Sequence, residues 1–479
     1  MNVMDQAQTF LQQYAQEIEL VSLFFITNTL IIALIQLLPV LFVLIIHNKS
    51  KESFSEELFI SSGLAPPVTI LTPVFNEEAL VEVSVDALLA LKYPDYQVIV
   101  INDGSSDQTL HTLISRYELE KVDYAAEWKL EHEPVKDIYI SRLNTNLLVI
   151  DKENGGKADA INAGINVARS DLFCVMDGDT LLEEESLLKI IKPFVDDPEH
   201  TIAVGGTVCV LNGCKVRHGI VEKVGLPKTF LELVQVVEYL RAFMIARNGW
   251  SRVGMLTLIS GAFGVFKKDI VCNIGGYPKG SMGEDMELVM EMHRYVRDSL
   301  SSRHHIAAVP EPVCWTEVPS TIRSFCNQRT RWQQGSLETF FNNISILFNP
   351  KYGRVGLLSM LVILVVDVLG PVLELFGYFV ITVTYAAGIL EFHALLAYIG
   401  LMTLFGIFTS LLSLWLEERW NRSYKETRSY IKLLFVAIIE NIGYRQLVNL
   451  LRLVGWLQFL RRKKEWGYMP RKGVQVIEQ

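Results

Sequence analysis

The chain has 479 residues, half of them hydrophobic, and a formal net charge of −9. That balance excludes a disordered tail, which is poor in apolar residues, and a nucleic-acid-binding domain, which is basic; several long apolar blocks point to a membrane protein instead. The six cysteines (Cys174, Cys209, Cys214, Cys272, Cys314 and Cys326) form no CxxC pair and have no matching histidine spacing, which argues against a zinc site or a disulfide framework and for a reducing, cytosolic setting.

Residues 1–19 read as an amphipathic N-terminal segment with Asp5, Glu17 and Glu19 and neither Lys nor Arg. The run "LVSLFFITNTLIIALIQLLPVLFVLII" over 20–46 is long enough to cross a hydrocarbon core of about 30 Å at about 1.5 Å per residue. Without a basic start it reads as an anchor, not a signal peptide. "HNKSK" follows, so the positive-inside bias places the N-terminus outside and the chain after Lys49 in the cytosol.

From 50 to 320 short β-rich runs alternate with helical stretches: "PVTILTPVF" then "EEALVEVSVDALLALK", "YQVIVIND" then "SDQTLHTLISRYE", "NLLVID" then "KADAINAGINVAR", "DLFCVMDGD" then "EEESLLKIIKPFV". This pattern predicts an α/β, Rossmann-like domain with a mostly parallel sheet and helices on both faces, whose ligands bind beyond the carboxyl ends of the strands. Residues 321–350 read as helices at the membrane interface, and 355–380 and 394–416 as two further spans. The link between those spans holds Glu391 and His393 but no Lys or Arg, whereas "EERWNRSYKETRSYIK" beyond them is basic-rich and so cytosolic. The block 433–460 contains Glu440, Arg445 and Arg452 and ends in "RRKK"; it reads as an interfacial or re-entrant segment, with a fourth span as the alternative.

Three predicted strands end in acids. "TILTPVFNEE" delivers Glu77 and Glu78, "VIVINDGSSD" delivers Asp103, and "LFCVMDGD" delivers Asp177 and Asp179. Each alone is ordinary turn chemistry, but three such ends in one parallel sheet fall where its ligand cleft lies. Two carboxylates around Gly178 suit Mg2+ or Mn2+, which keeps positions open for water and phosphate. In "ENGGKADAINAG", Lys157 opens a helix behind two glycines and can meet a phosphate; a solvated lysine is the other reading. Glu284 and Asp285 in "GEDMELVMEMHR" either suit the helix dipole or supply a general base at Asp285. Gln328, Arg331 and Trp332 in "SFCNQRTRWQQG" share a helix face, where Arg can fork onto phosphate and Trp can stack on a sugar; a membrane-interface belt is the alternative.

The ordered set "NDGSSD", "DGD", "GED" and "QRTRW" resembles the D, DxD, [TG]ED and QxxRW signature of membrane-embedded processive family 2 glycosyltransferases, the group of cellulose, chitin, hyaluronan and poly-N-acetylglucosamine synthases. The resemblance covers nearly the whole chain from the first span onward. It implies a GT-A catalytic domain between membrane helices, binding a UDP-sugar, with Thr72, Glu78 and Asp103 toward the uridine. It places Lys157, Asp177, Gln328, Arg329 and Arg331 on the donor diphosphate, Asp179 on Mg2+ or Mn2+, Asp285 as base, and Glu284 and Trp332 on the acceptor. The implied reaction is one in-line displacement with inversion, giving a β-linked exopolysaccharide that is exported. The tail 461–479, "KKEWGYMPRKG" included, is similar to a gating loop with Trp466 and Arg471, or is a basic interfacial anchor, and is cytosolic in either case. No "FxVTxK" segment follows QRTRW and no cyclic-nucleotide-binding domain is appended, so bacterial cellulose synthase is disfavoured. "NGGKADAINAG" and "WGYMPRKG" look most like the poly-N-acetylglucosamine group, which implies UDP-N-acetylglucosamine as donor.

Other readings follow the same logic. Asp367 and Glu374 are two turns apart around Pro371 and share a face that lines an export route. Arg247 and Trp250 either pack in the core or at the membrane interface or line an acceptor groove, Glu317 in "TEVP" lies on the acceptor side, and His304 and His305 form a partly exposed pair without a third metal ligand. The expected partners are a UDP-sugar, a growing polysaccharide or glycolipid, membrane lipid and a homo-oligomer or export partner, with no nucleic acid. The expected location is the inner or plasma membrane. The competing functions are transfer of one or a few sugars to a lipid, and a catalytically silent nucleotide-sugar scaffold.

Overall fold

The computed structural model describes residues 15–45, 63–217, 219–300, 303–386, 390 and 392–462. The expected gating residues Trp466 and Arg471, and most of the expected N-terminal segment, lie outside the described residues.

The soluble domain is built on one sheet from strands β1 (Val68–Val74), β2 (Tyr96–Asp103), β3 (Leu119–Lys121), β4 (Val135–Ser141), β5 (Leu147–Lys152), β6 (Leu172–Met176), β7 (Leu181–Leu182) and β8 (Thr201–Val210). A small ribbon, β9 (Lys215–Arg217) with β10 (Ile220–Lys223), follows before β11 (Phe263–Lys267) and β12 (His305–Thr316). The ten-stranded order is β3-β4-β5-β2-β1-β6-β11-β8-β12-β7. Its centre, β5-β2-β1-β6, is parallel, as the alternation of strands and helices predicts. β11 runs antiparallel between β6 and β8, an insertion the order of segments did not reveal.

The central strands are apolar on both faces because helices cover both. Ile70, Val98 and Val100 join one core, while their neighbours Leu71, Ile99 and Ile101 join the other, as the two-residue side-chain period requires. Register has a direct consequence for the site: Asp103 lies across from Lys152 and Asn102 across from Asp151 at the carboxyl ends of β2 and β5.

Among the described residues three helices are long and apolar enough to cross a membrane, over Leu23–Ile45, Val355–Ala386 and Leu395–Trp420. The first docks tightly on the α/β domain: a Cβ on Gly249 would come within 2.4 Å of the Pro39 carbonyl oxygen, and Trp250 packs on Phe42 with ring centroids 5.9 Å apart. Trp250 therefore belongs to a membrane-helix contact and not to an acceptor groove. The second span is irregular, with π-helical turns over Val355–Ser359 and Ile363–Leu369.

The expected 433–460 segment folds as two helices, Thr427–Ile439 and Tyr444–Leu460, of 13 and 17 residues, broken at Gly443 with φ of 91°. Both are shorter than the roughly 20 residues a span uses. Glu440, Arg445 and Arg452 are each paired. Glu440 meets Arg241 and, at 2.5 Å, the Ser410 hydroxyl of the third span. Asp367 and Glu374 do not share partners either: Asp367 pairs with Arg452 at 2.8 Å, and Glu374 accepts from the Tyr378 hydroxyl at 2.5 Å.

Candidate active site

The carboxyl end of β2 is organised by a lysine that sequence reasoning missed. Lys152 has no exposed side-chain surface, and its Nζ lies 2.7 Å from Asp103 Oδ1 and 2.6 Å from Asp159 Oδ1. Asp103 also accepts from the N–H groups of Gly155 and Gly156, at 3.0 and 2.8 Å, so the glycine turn is folded onto the end of β2. Asp159 is buried and accepts from the Glu133 N–H. Lys152 thus ties Asp103 to the helix Lys157–Val167 that carries Lys157.

Thr72 and Glu78, expected toward the uridine, lie on β1 and just beyond it. Thr72 is 1% exposed inside the sheet, and its hydroxyl has no partner. The exposed Glu78 accepts from the Gln108 N–H at 3.0 Å, just before the helix Thr109–Arg116. Neither joins the charged cluster described next.

That cluster lies beyond β6. Lys157 Nζ sits 2.5 Å from Asp177 Oδ1, donates to the Gly261 carbonyl at 3.1 Å and approaches Glu284 at 3.9 Å. Gly261 in turn donates its N–H to Asp285 Oδ2 at 3.2 Å, and Met286 N–H donates to Asp285 Oδ1 at 2.9 Å. A Cβ on Gly261 would lie 2.8 Å from Lys157 Nζ, so any side chain there would displace the end of that lysine. Burial opposes the charge on Lys157, but Asp177, Glu284 and Asp285 outweigh it and raise the amine above its ordinary range. Burial pushes the Glu284 carboxyl up to about 7; Lys157 opposes this, while Asp285 and Asp177 add to it.

Asp177 and Asp179 are half-buried at the end of β6, with Gly178 wedged between them, its Cβ position only 3.1 Å from Val74. Among the described residues no group of three or more His, Cys, Asp or Glu is arranged to hold a metal. A two-carboxylate set of this kind fits a hard cation that completes its shell with phosphate and water. Likewise, the six cysteines are free thiols, and His304 packs its ring on His200 while His305 meets Thr201.

The QRTRW motif lies on the helix Ile322–Asn342. Arg331 faces the cluster closely enough to favour the charged form of Glu284. Gln328 is 8% exposed and its Oε1 has no protein partner. Arg329 was expected on the donor, but its guanidinium forks onto Glu238 at 2.8 and 2.9 Å and stacks over Trp332, 4.3 Å from the ring centroid. It is committed to packing and holds the 43%-exposed Trp332 ring from one side. The two motifs meet through glycines: a Cβ on Gly335 would lie 2.8 Å from Gly283 Cα, so the GED turn and the QRTRW helix touch backbone to backbone.

Arg247 ends a π-helical turn, Arg241–Arg247, and lies over the Phe243 ring at 3.9 Å. Burial lowers its pKa to about 10 against the opposing field of Asp285. Its Nε has no protein partner and lines a cleft with Thr207 and Ser260. That cleft has room for about one water, too little for a sugar. Glu317 follows β12 and is half-buried.

A family model described as Glycosyl transferase family group 2 matches residues 172–411, and one described as Glycosyl transferase family 2 matches 69–122. Poly-beta-1,6-N-acetyl-D-glucosamine synthase of Staphylococcus aureus is 27% identical over 290 residues, covering 60% of this chain and 59% of that protein. The synthase of the same name from Staphylococcus epidermidis is 26% identical over 277 residues, covering 58% and 56%. The chain therefore spans less than two thirds of the length of these curated relatives. Among solved structures, the mannosyltransferase PcManGT from Pyrobaculum calidifontis in complex with GDP-Man and Mn2+ superposes with a TM-score of 0.51 at 18% identity, over 89% of this chain and 99% of that one. The likeness establishes the fold, a GT-A, Rossmann-like domain with a mixed sheet.

Proposed function

The chain belongs to glycosyl transferase family group 2, and from that premise we propose that it transfers a sugar from a UDP-sugar donor to a growing β-linked exopolysaccharide with inversion at the anomeric carbon. The observation that carries the reading is the convergence of Lys157, Asp177, Glu284 and Asp285 in one half-buried cluster beside Arg331. The names of the staphylococcal relatives favour UDP-N-acetylglucosamine as donor.

Lys157 and Arg331 offer fixed positive charge to a diphosphate, where preorganised groups stabilise a leaving group best. Asp103, locked by Lys152 and the glycine turn, marks the nucleoside end. Asp179, with Asp177, would hold Mg2+ or Mn2+, and the cation supplies charge neutralisation for the departing diphosphate. Asp285, oriented by two backbone N–H groups, takes the proton of the acceptor hydroxyl as that oxygen attacks the face opposite UDP. Trp332 presents an exposed ring for the acceptor sugar. Membrane helices packed around the QRTRW helix support coupling of synthesis to export, with the catalytic domain and C-terminus cytosolic and the N-terminus outside. A homo-oligomer or separate export partner would complete the path.

The test is purified protein in lipid nanodiscs with Mn2+ and a panel of UDP-sugars, following UDP release and product size. Long polymer from UDP-N-acetylglucosamine alone is expected. Lipid bearing one or two sugars would replace the reading by a lipid-directed transferase, and silence with every donor would favour the scaffold. In the same assay Gly335→Val is expected to lower kcat about 100-fold, because the added carbons must separate GED from QRTRW and misplace Arg331 by an ångström or more. Wild-type kcat in that variant would show that the glycine contact does not set the site.

A further inference from the structure

The second span carries an unexplained break. Over Ile363–Leu369 its helix is π-helical, an arrangement that frees carbonyls from the regular ladder. Three consecutive carbonyls from this turn accept side-chain donors from elsewhere: Val366 from Arg452 at 3.1 Å, Asp367 from Gln333 at 2.7 Å, and Val368 from the Trp456 indole at 2.7 Å. The donors come from two other helices. Arg452 and Trp456 lie on Tyr444–Leu460, and Gln333 directly follows Trp332 on the motif helix.

Arg452 joins all three elements. Its Nη2 meets the Asp367 carboxylate at 2.8 Å, and its Nε donates to Gln333 Oε1 at 2.8 Å. Gln333 is 3% exposed and so has no solvent to fall back on. The helices also interlock sterically, since a Cβ on Gly455 would lie 2.7 Å from Gln333 Cβ. A charge within a span persists when it is paired and bonded, and here the pairing runs to the residue beside Trp332.

We propose that Arg452 is a positioning residue: braced by Asp367 at the π turn, it fixes Gln333 and thereby the register of Arg331 and Trp332 against the reacting sugars. The inference rests on the transferase reading above. It makes the break in the second span part of the active-site scaffold. Asp367 then serves the catalytic helix and not a polymer route.

The experiment compares Arg452→Lys, Gln333→Leu and their double variant with wild type in nanodiscs, measuring kcat, donor KM, UDP affinity and melting temperature. Lysine keeps the charge opposite Asp367 but loses the fork that reaches Gln333. Arg452→Lys is expected to melt near wild type and to lose about tenfold in kcat with donor KM and UDP affinity changed less than twofold. The double variant is expected to be no worse than the poorer single variant, because both remove one link. Should Arg452→Lys fold poorly, Gln333→Leu alone carries the same kcat test. Wild-type kcat in the folded variants, or losses that multiply in the double variant, overturns the inference. A wild-type protein that turns over no donor sinks the transferase reading itself, a result these variants cannot produce.

Discussion

Asp285→Asn is expected to lower kcat by about 10²- to 10⁴-fold while UDP affinity stays within a factor of two of wild type. Asparagine keeps the size and one acceptor, so it preserves a bond to either the Gly261 or the Met286 N–H. It cannot take a proton from a hydroxyl. Lys157, Asp177 and Arg331 are left in place to hold the nucleotide, which separates loss of chemistry from loss of binding. A second consequence has a fixed sign. Asp285 is one of the charges that push the Glu284 carboxyl up to about 7, so removing it moves that pKa down, toward the ordinary carboxylate range. Glu284 then stays ionised to lower pH, and any pH dependence of UDP binding that follows Glu284 shifts to the acid side. A variant retaining more than a tenth of wild-type turnover would remove Asp285 from the role of base.

Lys152→Met is expected to destabilise the catalytic domain by about 3–5 kcal/mol, the usual result of removing one partner from a buried ion cluster. The lysine is wholly buried between Asp103 and Asp159, and methionine of similar length fills its space without answering either charge. For a domain of this size the loss corresponds to a fall in melting temperature of about 10 °C. UDP affinity is expected to fall at least about tenfold as Asp103 loses one of the contacts that orient it. Adding Asp159→Asn is expected to recover part of the stability, because one of the two orphaned charges is removed. A Lys152→Met protein that melts with wild type would show that the glycine-turn N–H groups alone suffice for Asp103.

The parts of this architecture that were legible in the sequence are those set by local pattern. β1, β2, β5 and β6 announce themselves as apolar runs that give way to acids and glycines, and Asp103 and Asp177 stand where a parallel sheet opens its cleft. What stayed hidden depends on pairing between distant segments. Lys152 carries no motif of its own, and only the β2–β5 register puts it against Asp103. Arg329 sits inside QRTRW and shares its chemistry with Arg331, yet Glu238, 91 positions earlier, turns it to packing. The π turn at Ile363–Leu369 could not be read from hydropathy, which reports composition and not hydrogen-bond pattern. Glycine spacing offered one usable signal: Gly335, three residues beyond Trp332, is a helix-interior glycine, and such a residue commonly marks a close backbone approach.

The central claim is that Lys157, Asp177, Asp179 and Arg331 form one diphosphate site at the carboxyl ends of the central strands. A density map of the protein in nanodiscs with UDP and Mn2+ tests it most directly. The account predicts a diphosphate within hydrogen-bond distance of Lys157 Nζ and Arg331, a manganese signal at Asp179, and the uridine on the Asp103 side. UDP bound away from Lys157, or manganese held by residues other than Asp177 and Asp179, would contradict it.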